Sequence, residues 1–476
     1  MLEGGVPLDW QRDPLDLLRA WPADRRVFML HSARPDARWS RYTVIAEPVE
    51  AVRHQHRRTR FSYLDAALAG SVTLTHQPLN DLRAVLDADA GRSLWLGYLG
   101  YDIGRSIEHL PAPPIDDRAW PDFQLERCAG WLVHDNQTAR WAAHGDYADP
   151  GQLDFIDTPD ADDGGRGSGY AGAYRAGPIA PDQPATDVRA SIQRVIDYIA
   201  AGDVFQVNLA QRFTGPFSGN PRSLYRELCA RSPAWYGCLG ELTRFDADEP
   251  VRTLASISPE LFLDCDADRR VVTRPIKGTR PSTSPASDLR DSAKDHAELA
   301  MIVDLMRNDL GRVCAYGSVR VDEPRAIESH PTVHHGVATI SGTLHPGRDL
   351  VDLLRATLPG GSITGAPKVR AMQIIDELEA SRRGPYCGAI GMIYGQQARL
   401  NIAIRTVMIE QAQRLGEGRA DVWAGGGIVA DSDPTAEYQE MLDKARAMRD
   451  ALDQRDPIDA TPTADAELPT PAAPRA

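Results

Sequence analysis

Apolar side chains return every three or four positions in several stretches of this chain. Leu299, Ile302, Val303, Met306 and Leu310 form one such stripe, which predicts a helix from about Ser292 to Arg312. A second helix is expected from Pro367, a proline suited to the first helical position, to Arg383, where Gly384-Pro385 stops it. A third should start near Pro434, with Asp433 as its N-cap, and run to about Asp450. Between and before them lie shorter apolar runs. Val27-Phe28-Met29-Leu30 and Leu94-Trp95-Leu96-Gly97-Tyr98 belong to an early group, and Val271-Val272-Thr273 is a short β-type run. Strands are expected over Val337 to Ile340, Ala389 to Tyr394, Leu400 to Val407 and Asp421 to Ala424. Helices and strands are interspersed without the regular alternation of a doubly wound sheet, so the fold class is α+β.

Composition divides the 476 residues further. Residues 1–150 read as an N-terminal subdomain and 187–452 as the part that carries the chemistry. Between them, 151–186 reads as a flexible linker, because Pro159 to Gly169 is polar and glycine-rich. The Pro/Ala/Thr-rich end, 453–476, reads as a disordered tail. A formal net charge of −14 argues against non-specific nucleic-acid binding. No apolar run approaches the ~18 residues of a membrane span. The first residues have neither a basic region nor an apolar core, so no secretory signal is expected. The 6 cysteines form no C-x-x-C pair, which fits neither zinc site nor disulfide framework and makes a reducing cytoplasm the expected compartment.

Candidate chemistry begins at Lys277, held between Pro275-Ile276 and Gly278-Thr279. Taken alone, a lysine there is a solvated or ion-paired strand residue; with a fixed backbone and its proton removed, it is an amine nucleophile. Glu437 and Glu440 share a helix face, with Lys444 one turn further on. Glu298 lies near the start of the first long helix, and Glu260 follows Ser258-Pro259. Each glutamate alone reads as a solvated residue, although Glu298 with Glu440 could supply the one or two carboxylates that Mg²⁺ usually takes. Gly360 to Lys368 leads into a helix start, an anion site by its free N–H groups, but its spacing is not that of a P-loop. Gly425-Gly426-Gly427 allows close backbone approach and is no dinucleotide fingerprint. Cys238 lacks the flanking residues of a glutaminase nucleophile turn and reads as a buried strand residue.

Together these stretches resemble the chorismate-utilising enzymes, and among them the component I branch of the aminodeoxychorismate synthases. The matching segments are FQVNLAQRF (205–213), SISPELF (256–262), RPIKGTRP (274–281), DHAELAMIVDLMRNDLGRV (295–313), VHHGVATISGTL (333–344), GGSITGAPKVRAMQIIDELE (360–379), IAIRT (402–406) and AGGGIVADSDPTAEYQEMLDKA (424–445). They cover most of 200–450 in the family's order. HSARPDARWSRY (31–42) and GYLGYDIGR (97–105) resemble its less specific first region.

The resemblance implies two packed β-sheets flanked by helices and a Mg²⁺-dependent attack on chorismate, a cyclic dianion. Glu298 and Glu440, with Glu437 adjacent, would hold Mg²⁺. Glu260 would be the general acid toward the departing 4-hydroxyl. Arg405, Lys444, Tyr394 and the backbone near Gly278-Thr279, Thr364-Gly365-Ala366 and Gly426-Gly427 would grip the carboxylates, and His335 matches an active-site histidine. Lys277 matches the branch in which a lysine adds at ring C2 before ammonia adds at C4. Gln206 stands where isochorismate and salicylate synthases carry a water-activating lysine, which points to ammonia as the incoming nucleophile. The implied product is 4-amino-4-deoxychorismate, on the route to p-aminobenzoate and folate. Its ammonia would come from a separate glutamine amidotransferase subunit in a heterodimer.

Alternatives remain open at this level: an anthranilate synthase component I, or a non-catalytic partner that activates the glutaminase. Relatives bind tryptophan in the first region, where Ser32, Arg41 and Tyr42 fit the pattern. Pro233-Ala234-Trp235 departs from the usual lining, so the Trp235 indole either fills that space itself or is a plain core residue.

Overall fold

The computed structural model describes residues 2–62, 72–111, 113–157, 174–331 and 333–453. The elements that build the site are strands β1 (Phe28–His31), β2 (Leu94–Leu99), β3 (Gln206–Ser218), β4 (Tyr236–Glu241), β5 (Ile276–Pro281), β6 (Val333–Thr343), β7 (Ala389–Tyr394), β8 (Gln397–Ile402), β9 (Thr406–Gln411) and β10 (Glu417–Ile428). The helices are α1 (Ala293–Gly311), α2 (Lys368–Leu378) and α3 (Pro434–Leu452).

Two antiparallel sheets, of 13 and 11 strands among the described residues, pack with helices outside them. The α+β expectation and the two-sheet expectation both match this architecture. In the first sheet β3 pairs with β10 from Val207 to Ser218, and β10 pairs with β9. In the second, β5 pairs with β6, and β8 with β7. Trp95, Tyr98, Phe262 and Ile393 are among the buried side chains of the core between them.

The expected boundary at residue 150 does not separate the sheets. β1 pairs with β4 in the first sheet, and β2 pairs with β7 in the second. All six residues of β2 are buried. A run buried on both faces announces a central strand, but not which strands flank it. The expected linker is also shorter than 151–186. Arg175–Ala176 and Ala180–Pro181 both pair with β3, through backbone groups that need no apolar side chain. The glycine-rich stretch within 158–173 and the tail from 454 lie outside the described residues.

Local chemistry sets the helix ends. Ser292 caps α1 by accepting from Asp295 N, and Asp433 caps α3 by accepting from Thr435 N and Ala436 N. Helix α2 stops at Leu378, short of the expected Arg383. The chain leaves the helix because Arg383 is drawn behind β3. Its guanidinium pairs with buried Glu379 at 2.6 Å and donates to Asn208 O and Ile363 O. Two strand expectations also change. The predicted Leu400 to Val407 strand is broken between β8 and β9, with Arg405 at φ +48. The glycine run 425–427 is not a turn but part of β10, in register with Asn208 to Ala210.

Candidate active site

Lys277 sits on a β-bulge. In the β5–β6 pair the register shifts between Ile276 and Thr279, and Gly278 has φ +81. A bulge re-aims a side chain, and here Lys277 turns toward α1, where Nζ lies 3.2 Å from Glu298 Oε1. Gly278 is required on two counts. Its φ suits glycine, and a Cβ there would lie 2.7 Å from Leu289 Cδ1.

Lys277 lines a cavity of about 260 Å³ together with Glu260, Gly278, Thr279, Glu298, His335, Arg405, Gly427, Glu437, Glu440 and Lys444. Residues far apart in the chain converge there from both sheets and from α1 and α3. Glu260 is only 4% exposed, and its backbone carbonyl accepts from Ile402 N at 3.0 Å. Burial pushes its pKa up to about 7, against the opposing effects of Ser362 Oγ, which donates at 2.6 Å, and of the Lys277 charge. A carboxyl so placed keeps its proton to a higher pH than an ordinary glutamate. His335 pairs Nδ1 with Thr279 Oγ1 at 2.8 Å, while Nε2 has no protein partner among the described residues. Burial, then the Arg405 charge, hold His335 well below the ordinary histidine value, so it is a neutral imidazole.

Arg405 projects from the break between β8 and β9, with no acidic side chain paired to it among the described residues. Its pKa is lowered by desolvation. A cation left unpaired in a cavity wall is a receptor for an anion. Lys444 stands opposite, 2.7 Å from Glu440 Oε1 and donating to Gly425 O at 2.9 Å.

The three glutamates expected at a metal line this cavity from two helices, Glu298 from α1 and Glu437 and Glu440 from α3. Glu437 accepts from Ser432 Oγ at 2.6 Å, and burial raises its pKa, with repulsion from Glu440 acting in the same direction. Glu440 is held below its ordinary value by Lys444 first. Glycines make room for these groups: a Cβ on Gly427 would lie 2.9 Å from Glu298 Oε1, and one on Gly426 would lie 3.3 Å from Glu437 Oε2. Among the described residues no three acidic, histidine or cysteine side chains close into one metal-holding cluster. Mg²⁺ needs only one or two carboxylates, with water and substrate oxygens completing its shell, so this donor set fits it.

Five expected contacts are not made here: Gly426 does not line the cavity, although its neighbours Gly425 and Gly427 do, and four other residues lie elsewhere. Tyr394 lies outside the cavity, with its ring edge-on to Trp131 at 5.8 Å. It is the last residue of β7, and the turn that follows carries it away from the site. The Thr364 hydroxyl donates to Gly360 O, while Gly365 and Ala366 pair with Val207 and Gln206 of β3. None of the three lines the cavity; Ser362 and Ile363 meet it instead. The sequence reading did not single out Asn208, Ser362, Lys294, Arg280 or Tyr386, all of which line the cavity. For Asn208 a signal was present: strand alternation puts it on the same face as Gln206.

A second, smaller cavity of about 50 Å³ is lined by Ser32, Tyr42, Trp39, Trp235 and Asn401. Ser32 Oγ lies 3.1 Å from Trp235 O and 3.3 Å from Tyr42 O. Arg41 is instead tied to Asp135 at 2.7 Å, and neither it nor Pro233 lines this space. A space of this size is on the scale of a few waters. Trp235 lies between Arg274, 5.7 Å from its ring, and His330, 5.0 Å away.

The sequence profile of chorismate binding enzymes matches residues 26–450. Aminodeoxychorismate synthase component 1 of Escherichia coli (strain K12) is 36% identical over 459 residues, covering 90% of this chain and 93% of that protein. Anthranilate synthase component 1 of Thermus thermophilus is 39% identical over 379 residues, 75% of this chain and 77% of that one. Among solved structures, anthranilate synthase component I from Streptococcus pneumoniae TIGR4 superposes with a TM-score of 0.70 at 26% identity, over 94% of this chain and 99% of that chain.

Proposed function

Because this chain belongs to the chorismate-binding enzyme family, we propose that the cavity around Lys277 binds chorismate and exchanges the 4-hydroxyl for an amino group, giving 4-amino-4-deoxychorismate. One observation carries the choice of reaction: the bulge at Gly278 turns the Lys277 amine into the same cavity as a buried, protonated Glu260.

The residues divide the work by charge. Arg405 and Lys444 are the cations available to the two carboxylates of a dianion. Glu260 donates its proton to the departing 4-hydroxyl, a role matched to a pKa near the working pH. Lys277, unprotonated, forms a bond to ring C2 as the C4–O bond breaks. Ammonia then bonds to C4, the ring double bond shifts back, and the C2–N bond breaks with its electron pair returning to Lys277. The proton shed by the new ammonium goes to the Glu260 carboxylate, which restores the acid. Mg²⁺, held by Glu298 and Glu440 with Glu437 adjacent, would supply Lewis-acid polarisation of the ring carboxylate.

A separate glutamine amidotransferase subunit, in a heterodimer, is the assigned source of ammonia. The component numbering in the relatives' names supports a partner. Among the described residues no helix is long and apolar enough to cross a membrane. Cytoplasmic folate-pathway chemistry is the corresponding setting.

Anthranilate synthesis is the second reading, favoured by the anthranilate synthase relatives at comparable identity. Incubation with chorismate, Mg²⁺ and ammonium salt separates the readings. The expected product is 4-amino-4-deoxychorismate, with a mass adduct on Lys277 when ammonia is withheld. Lys277→Ala should lose about 10³-fold or more of the amination rate, the scale of a lost nucleophile. Anthranilate with pyruvate as the main products overturns the choice. A protein that makes no ammonia-dependent product and only stimulates the glutaminase leaves the non-catalytic role.

A further inference from the structure

Among the described residues six large apolar side chains are exposed, and single exposures of that kind are ordinary. Two of the six are brought together by the backbone. Phe205 is 71% exposed and Val369 36%. Phe205 N donates to Ala366 O at 2.7 Å, and the next residues, Gln206 and Val207, pair with Ala366 and Gly365. Val369 follows three residues later, in the first turn of α2. Arg370 beside it reaches back to Asp203 at 3.1 Å. The turn before β3 and the start of α2 therefore form one surface. Ala201, Gly202 and Pro367 are exposed around the pair and leave it open.

Phe205 is not a frayed end. Val204 and Gln206 on either side of it are buried, so a fixed backbone holds the ring out in water. A ring held there loses the free energy of burial until something covers it. The polar groups around it answer one another. Asp203 holds Arg370, and the Tyr198 hydroxyl donates to Glu377 at 2.8 Å. An apolar centre within a paired polar rim is the anatomy of a docking spot.

We infer that Phe205, with Val369, is the anchor on which the glutamine amidotransferase subunit docks. This rests on the amination reading above and gives its ammonia source a place. The location favours that occupant. β3 starts at the patch, and Asn208, three residues after Phe205, lines the Lys277 cavity. At ~3.3 Å per residue the anchor stands about 10 Å along the strand from the cavity wall. A subunit seated there releases ammonia against that wall rather than into bulk water. A second copy of this chain would gain nothing from a seat beside the cavity. The fitting partner presents an apolar pocket for one ring, with polar groups at its edge to face Asp203 and Arg370. Phe205 holds the partner and takes no part in the chemistry.

The test uses the full chain with a glutamine amidotransferase subunit of the aminodeoxychorismate synthase type. Amination of chorismate with Mg²⁺ is followed on L-glutamine and, separately, on ammonium salt. Phe205→Asp should raise the subunit concentration for half-maximal glutamine-driven amination about 30-fold or more, the scale of a lost aromatic hot spot. Its ammonium-driven rate should stay within about two-fold of wild type, as for a surface substitution. Phe205→Tyr keeps the ring and should stay within about three-fold on glutamine. Should Phe205→Asp fail to fold, Val369→Asp decides, with the same split expected at about five-fold or more. An unmoved half-maximal concentration overturns the assignment. So does an ammonium-driven rate that falls in step, which would put Phe205 to work within this chain's own fold. A dimer turned to monomer by the substitution, with glutamine use intact, overturns it in favour of a second copy. A wild type that aminates from ammonium and gains nothing from glutamine with the subunit overturns the docking alone. A wild type giving no amine from either source overturns the amination reading, and this assignment with it.

Discussion

The two cavities differ in the charge of the groups they leave unmatched. Around Trp235, Ser32 Oγ faces Trp235 O and Asn401 Nδ2 donates to Tyr236 O, and the groups without a partner among the described residues, Trp235 Nε1 and the Tyr236 hydroxyl, are neutral. Around Lys277 the unmatched groups include a cation: Arg405 has no acid and His335 Nε2 no partner among the described residues, and burial holds the Glu260 pKa up at about 7. Unmatched groups cost stability, and a fold keeps them where a ligand will match them. The difference teaches how to tell a working site from a filled one: volume matters less than unspent charge.

The largest test of that contrast is Arg405. Arg405→Met should raise the KM for chorismate about 100-fold, because a carboxylate loses its cation. It should also raise the thermal midpoint of the ligand-free protein, by about 1–2 kcal/mol of stability, because an unpaired cation leaves the wall. Weaker binding with a lowered midpoint would break the comparison.

Glu260 gives the next largest effect. Its buried carboxyl has a pKa of about 7 against an ordinary 4.5. The acid form is the active one, so kcat/KM should fall as pH rises through about 7, and Glu260→Gln should lower kcat by about 10²-fold. The sign of the stability effect follows from linkage. A raised folded pKa means the folded state binds the proton more tightly, so the stabilisation is complete below about 4.5 and is lost as pH rises through about 7. Glu260→Gln should therefore gain more over wild type in thermal midpoint at pH 8 than at pH 5. An equal difference at both would place the carboxyl in water.

The smallest effect on catalysis belongs to the cavity beside Trp235, where the expected change is in stability. Wild-type protein should release no free tryptophan on denaturation. Trp235→Ala should be destabilised by about 3–5 kcal/mol and regain part of that on adding indole, measured by thermal shift. Release of tryptophan from wild type would show that the space holds a ligand after all.

Much of this was legible in the chain. The apolar stripe from Leu299 to Leu310 gave α1, and Pro434 with its cap Asp433 gave α3, nearly to the residue. The motifs around Lys277, Glu298 and Glu440 indicated groups that the fold does bring to one cavity. Elements decided by tertiary contact were not legible. Nothing in IAIRT announces that Arg405 breaks a strand, and nothing in AGGGI says that the glycines stay extended to let Gln206 and Glu298 approach. Tyr394 misled because an aromatic at a strand end can face either a cavity or the next layer. Here Trp131 in the layer opposite took it.

The joining of β1 and β2 into the sheets that carry the site has a practical consequence. A fragment starting after residue 150 would keep every candidate catalytic side chain yet bare the long edges of β4 and β7. Exposed edges of that kind invite intermolecular pairing, so such a fragment would aggregate rather than serve as a minimal enzyme. The first third of the chain is thus a scaffold for groups it does not itself contribute.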